Sequence, residues 1–259
     1  NMYDAVVVPD MFWPNYRLIL EERKHATMSH YPFFNSKGGF NLEGFEKTVR
    51  ASARQNGKAL VILNFPNNPT GYTPTVAEGQ AIASILESVA SEGFDILVIA
   101  DDAYFGLQYE DMSLHESIFA LLANKHERIL AAKVDGSTKE DFVWGFRGGF
   151  VTFGCKGMDR KHYEALEKKL MGIIRSSISS SPSPTQYILL KAIEHPSYHE
   201  QKEQFKQLLL KRYQTVKRFL EKHPCPSVLK TLPFNSGYFM CFECNGINAE
   251  ILRLHLLNT

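Results

Sequence analysis

Apolar positions along the chain fall into short continuous runs separated by helically spaced ones. Ala5-Val6-Val7-Val8 is the first run, followed by Ala59 to Leu63, Asp95 to Ala100 and Ile129 to Val134. Runs this short and this apolar predict strands of a parallel sheet buried on both faces. Between them, Thr75-Val76-Ala77-Glu78 reads as a capping box, with Ile82, Ile85, Leu86 and Val89 behind it at helical spacing and Gly93 as the stop. Ser113-Leu114-His115-Glu116 reads as a second box ahead of Ile118, Leu121 and Leu122. Strands alternating with helices predict an α/β fold of three layers, α/β/α, with right-handed crossovers. Gly149 to Phe153 follows the previous strand too closely for a helical crossover, so it is expected to be the one antiparallel strand.

The second half changes character. Asp159 to Ile174 reads as a helix, and Ser176 to Pro184 as a Ser/Pro-rich connector. Ser197-Tyr198-His199-Glu200 reads as a third capping box. It opens a helix to about Glu221 with Phe205, Leu208, Leu209, Val216 and Phe219 on one stripe. A helix this long predicts a bridge between domains. Beyond Pro226 come a strand, Gly237 to Cys244, and a helix from about Asn248 that stops at Thr259 without a cap. The expected division is residues 1–225, ending in the long helix, and 226–259, the start of a small α+β domain.

Composition narrows the function. The 259 residues are 44% hydrophobic and 22% charged with a net charge of +1, which gives no electrostatic footprint for nucleic acid or an acidic membrane surface. No apolar stretch approaches the roughly 18 residues of a membrane span. No charged region precedes Ala5, so no leader is expected, and the expected compartment is the cytoplasm. Four cysteines do not make a disulfide scaffold in a chain of this length. Cys241-Phe242-Glu243-Cys244 has redox or metal spacing, but positions three apart on a strand face opposite ways. The nine histidines stand in no ligand-spaced group, and no metal is expected.

Ligands of open α/β sheets sit beyond the carboxyl ends of the parallel strands. There the chain places Trp13-Pro14-Asn15-Tyr16 after the first run and Asn64-Phe65-Pro66-Asn67-Asn68-Pro69-Thr70-Gly71 after the second. Asp101-Asp102-Ala103-Tyr104 follows the third, and Asp135-Gly136-Ser137-Thr138-Lys139 the fourth. Trp144-Gly145-Phe146-Arg147 precedes the antiparallel strand. Taken singly, Asn68 is a turn former, Asp101 a helix cap, Trp13 core filler and Lys139 a surface charge. Taken together, an aromatic, an amide, a carboxylate with a phenol, an amine and a guanidinium suit one flat ligand. It has a basic ring nitrogen, a phenolic oxygen, a phosphate and an aldehyde, which describes pyridoxal phosphate.

In their order and spacing, Trp13-Pro14-Asn15, Asn68-Pro69-Thr70-Gly71, Asp101-x-Ala103-Tyr104, and Ser137-Thr138-Lys139 with Arg147 eight residues on resemble the fold-type I pyridoxal-phosphate aminotransferases of class I/II. The resemblance covers roughly the first 155 residues. It implies the large domain of such an enzyme and a role for each residue. Lys139 is the Schiff-base lysine and proton carrier, and Asp101 the partner of the ring nitrogen. Asn68 and Tyr104 bind the phenolic oxygen. Arg147 and Ser137 hold the phosphate, and Trp13 stacks on the ring. Of the two neighbouring acids, Asp101 has the right offset to Tyr104. Gly136 departs from the pattern, since a Ser or Thr is usual three residues before the lysine; Ser137 and Thr138 both remain candidates for its task. The resemblance also implies a segment before this chain and a substrate-carboxylate arginine after it. The expectation is therefore a fragment covering most of the large domain, not competent alone, from a protein that is a homodimer. Its substrates are expected to be an amino acid and a 2-oxo acid. The same site chemistry also suits a β-lyase or decarboxylase, and the fold suits a ligand-sensing domain of a regulator.

Overall fold

The computed structural model describes residues 4–258. The main sheet has six strands: β1 (Ala5–Pro9), β2 (Thr27–Tyr31), β3 (Lys58–Asn64), β4 (Asp95–Asp101), β5 (Ile129–Asp135) and β6 (Phe150–Gly154). Their order is β2-β1-β3-β4-β5-β6. The first five are parallel, while β6 runs antiparallel to β5, with Asp135 opposite Phe150. Every strand read from an apolar run in this sheet is present. The edge strand β2, Thr27-Met28-Ser29-His30-Tyr31, has no such run, because an edge strand half open to solvent needs none.

After β1 the chain makes a short helix, α1 (Asn15–Arg17), which runs into a π turn at Leu18–Glu22. β2 leads into α2 (Leu42–Asn56), capped by the Asn41 side chain, which accepts from Gly44 N. Its signal was present in the sequence: Phe45, Val49 and Ala53 stand four apart and are all buried. The capping box of α3 (Val76–Ser91) forms as read, with Glu78 N donating to Thr75 Oγ1 at 3.2 Å and Thr75 N to Glu78 Oε2 at 2.8 Å. The second box does not form. α4 (Ile118–Leu122) is capped instead by Ser117, which accepts from Phe119 N at 3.1 Å, while Ser113 is buried in a bridge to Thr75.

A one-turn helix, α5 (Ser137–Glu140), follows β5, and α6 (Arg160–Ser177) starts from an Asp159 cap. The Ser/Pro-rich connector is shorter than its composition suggests. α7 (Ser183–Ile193) begins inside it, since Pro184 in a first turn costs no backbone hydrogen bond. The long helix is α8 (Tyr198–Lys222), but Ser197 makes no cap bond; its hydroxyl pairs with His195 Nδ1 at 2.7 Å. The strand expected over Gly237–Cys244 is only β8 (Phe242–Cys244), antiparallel to β7 (Leu229–Thr231). The preceding residues are held elsewhere: Gly237 N donates to Leu107 O at 2.8 Å and Cys241 Sγ to Pro69 O, next to Asn235 N and Ser236 N, which both donate to Gly71 O at 2.9 Å. The last helix is α9 (Ala249–Leu257), capped by Asn248; Thr259 lies outside the described residues.

Helices flank the sheet on both faces. Under α2, α3 and α4 lies the larger core, with Val7, Val61, Leu63, Val98 and Ala131 of the sheet fully buried. On the other face Tyr16 and Leu20 cover Val6, Val8 and Ile62. This second cover is thinner: β4 alternates buried and half-buried residues, so its strand is dry on one face only. None of the described helices is long and apolar enough to cross a membrane.

Candidate active site

The carboxyl ends of β1, β3, β4 and β5 open onto one cavity of about 570 Å³. Trp13, Asn68, Asp101, Tyr104, Lys139 and Arg147, spread over 135 positions of sequence, all line it. Ser137 does not. It is buried at 3% exposure, and Thr138 is its hydroxyl neighbour on the cavity wall. The departure at Gly136 has a steric reason. A Cβ there would lie 2.6 Å from Gly148 O, so the close passage of β5 past the start of β6 excludes a side chain.

Asp101 closes β4. Its Oδ1 accepts from Ala103 N at 3.1 Å, and its Oδ2 accepts the Tyr16 hydroxyl. Burial raises the Asp101 carboxyl above the usual range, opposed by the Tyr16 and Ala103 hydrogen bonds and by the Lys139 charge. Tyr16 is itself buried, its ring edge-on to Trp13 at 5.7 Å. Burial, foremost, pushes its phenol well up, so it stays a neutral donor. Asp102 faces away from the cavity. It is 2% exposed, its Oδ2 has no hydrogen bond, and Lys133 Nζ stands 3.9 Å off. Burial above all pushes its carboxyl up to about 7.

The amide-rich turn after β3 gives each asparagine a separate task. Asn64 accepts from Asn68 N at 2.8 Å and donates to Asp101 O at 2.9 Å, tying the turn to the end of β4. Asn67 Oδ1 accepts from Thr70 N and Thr70 Oγ1, which closes the turn. Asn68 is then free to face the cavity, where its Nδ2 reaches the Tyr104 hydroxyl at 3.4 Å. Tyr104 packs edge-on against Tyr238 and Phe239, and Lys139 Nζ lies 5.1 Å over its ring. Burial raises the Tyr104 phenol, with the Asn68 hydrogen bond opposing. Arg147 has a left-handed backbone, φ 58°, and lines the cavity beside Gly136, Gly148 and Gly149.

Two lining residues, Tyr16 and Asn64, had no assigned task in the sequence. Asn64 had a faint signal, a polar residue closing an apolar strand. Tyr16 had none, because its partner Asp101 is 85 positions away. The donor set suits pyridoxal phosphate: a buried carboxylate for a ring nitrogen, an amide and a phenol for an oxygen, an amine for an aldehyde. A guanidinium, a hydroxyl and a glycine-lined wall suit a phosphate.

A family model described as aminotransferase class I and II matches residues 1–259. The chain is 24% identical over 192 residues to the cytoplasmic aspartate aminotransferase of Saccharomyces cerevisiae, covering 73% of this chain and 44% of that protein. It is 29% identical to the kynurenine–oxoglutarate transaminase of Dictyostelium discoideum, over 79% of this chain and 42% of that one. Thus the chain spans about half the length of the curated relatives it matches. Among solved structures, an aminotransferase from Anaerococcus prevotii superposes with a TM-score of 0.85 at 21% identity, over 100% of this chain and 62% of that one. An aspartate aminotransferase from Thermotoga maritima gives 0.74 at 22% identity, over 99% and 60%.

Proposed function

The chain belongs to the class I and II aminotransferases, and from that premise we propose that its protein is a pyridoxal-phosphate enzyme moving an amino group from an amino acid to a 2-oxo acid. The observation that carries this is the meeting of Lys139, Asp101 and Arg147 in one cavity. When bound, the cofactor supplies an aldehyde that amines attack and a ring that draws electrons from the substrate carbon. The chain's residues do the rest. The Asp101 carboxylate would hold a proton on the ring nitrogen, and the Tyr16 hydroxyl, donating to its Oδ2, fixes that carboxylate at the cavity. Asn68 Nδ2 and the Tyr104 hydroxyl donate to the phenolic oxygen. Trp13 covers a ring face and excludes water there. Arg147 would take the phosphate with its guanidinium, and Thr138 would add a hydroxyl on the cavity wall in place of Ser137. Lys139 Nζ is the reacting amine and carries the proton taken from the substrate carbon. The whole protein is a cytoplasmic homodimer in this reading.

The test is chemical. Pyridoxal phosphate is added to the whole protein, borohydride reduces what forms, and the modified peptide is mapped by mass spectrometry. The label is expected on Lys139; a label on other lysines, or none, would overturn the assignment.

A further inference from the structure

Lys139 stands on α5, a helix of one turn, and a single turn does not hold its own shape. What holds it is α8. Tyr198, Lys202 and Phe205 stand four and then three positions apart, so they share one face over the first turns of that helix. They meet the three residues that follow Lys139. Lys202 Nζ donates to Glu140 Oε1 at 2.8 Å and to Asp141 Oδ1 at 3.1 Å. The Tyr198 hydroxyl donates to the same Asp141 oxygen, and the Phe142 and Phe205 rings pack with centroids 5.0 Å apart. Phe142 has φ 58°, a conformation that a bulky residue keeps only where its surroundings hold it. Asp141 also reaches back into α5. Its amide donates to Ser137 O at 3.1 Å, and its carboxylate bonds the Ser137 side chain. Burial pushes the Asp141 carboxyl up, but the bonds from Tyr198, Ser137 and Lys202 outweigh it and hold it below the usual range.

We propose that Asp141 is a positioning residue for Lys139: fixed by Tyr198 and Lys202 of α8 and by Ser137, it sets where the one-turn helix presents the lysine amine to the cavity. The proposal rests on the reading of Lys139 as the reacting amine. Every bond in this clasp is made within residues 137–205. An amine and an aldehyde bond only at close distance and correct angle, so a small shift of α5 is felt by the bond to Lys139. It is not felt by Asp101, which stands at the end of β4.

Binding tests this without turnover. The whole protein is titrated with two ligands. Pyridoxal phosphate condenses with the Lys139 amine through its aldehyde, losing one water. Pyridoxamine phosphate has an amine in place of the aldehyde and binds without that bond. Asp141→Ala is expected to lower the preference for the aldehyde about tenfold, with pyridoxamine phosphate bound within about twofold of wild type. Lys202→Met is expected to lower the preference in the same direction and Lys202→Arg to keep most of it. Asp141→Ala combined with Lys202→Met is expected to fall no further than Asp141→Ala, because both break one clasp. Circular dichroism checks folding, and Lys202→Met reads the same ratio where Asp141→Ala does not fold. Without cofactor, hydrogen exchange over residues 137–142 is expected to quicken in the variants. A role in stability alone weakens both ligands together. Equal loss for both ligands, or an unchanged preference, overturns the proposal. The borohydride label on wild type separates the two readings. Lys139 labelled, with the preference unchanged in the variants, removes the positioning role alone. Lys139 unlabelled removes the cofactor reading, and the positioning role with it.

Discussion

At the scale of single residues, the two adjacent acids at the end of β4 have opposite environments. Asp101 has the Tyr16 hydroxyl and an N–H on its oxygens; Asp102 has an oxygen with no hydrogen bond at all. Removing the Tyr16 hydroxyl leaves Asp101 Oδ2 buried and less satisfied, which raises its carboxyl further and weakens its hold on a ring proton. Tyr16→Phe is expected to bind pyridoxal phosphate about tenfold more weakly in a spectral titration, with Asp102→Asn close to wild type. Asp102 acts on stability instead. Its folded carboxyl sits at about 7, above the ordinary carboxylate value of about 4, so below pH 4 both states are protonated and nothing is lost. As pH rises from about 4 to about 7 the unfolded state ionises first, and stability falls. The loss is on the order of a few kcal/mol. Urea unfolding at pH 5 and pH 8 is expected to show that fall in wild type and a smaller one in Asp102→Asn.

At the scale of elements, the turn after β3 is fixed from outside as well as within. Thr73 N donates to Asn235 Oδ1 and Asn235 Nδ2 returns to Thr73 O, both at 2.8 Å, beside the two bonds to Gly71 O. Gly71 has φ +71°, and a Cβ on it would stand 2.1 Å from Phe239 O. Gly71→Ala is therefore expected to push residues 235–240 off the turn and to cost about 3 kcal/mol or more. Hydrogen exchange should show the Asn235 and Ser236 amides losing protection while those of α3 keep theirs. A mutant with wild-type protection there would mean the contact is incidental.

At the scale of the whole molecule, α6, the Ile178 that follows it and α7 leave Met171, Ile173, Ile178, Tyr187 and Leu190 exposed, and β6 adds Phe150. So much exposed apolar surface suits the proposed homodimer. Light scattering on the whole protein is expected to give twice the monomer mass, and charged residues at Ile173 and Ile178 to give the monomer. The sequence by itself determined the α/β alternation, four parallel strands and the antiparallel one, because buried strands must be apolar and short. It also determined which residue types stand beyond each strand, since turns there are written in Asn, Pro and Gly. What only the tertiary structure decided is whatever depends on a partner far along the chain. Ser117 and not Ser113 caps α4, because Thr75 holds Ser113 in a bridge. Residues 237–241 stay out of their expected strand because Gly237 N donates to Leu107 O and Cys241 Sγ to Pro69 O. Thr138 and not Ser137 faces the cavity, and Tyr16 meets Asp101. Periodicity reports on neighbours three or four positions apart. Hydrogen bonds between segments tens of positions apart leave no mark on it.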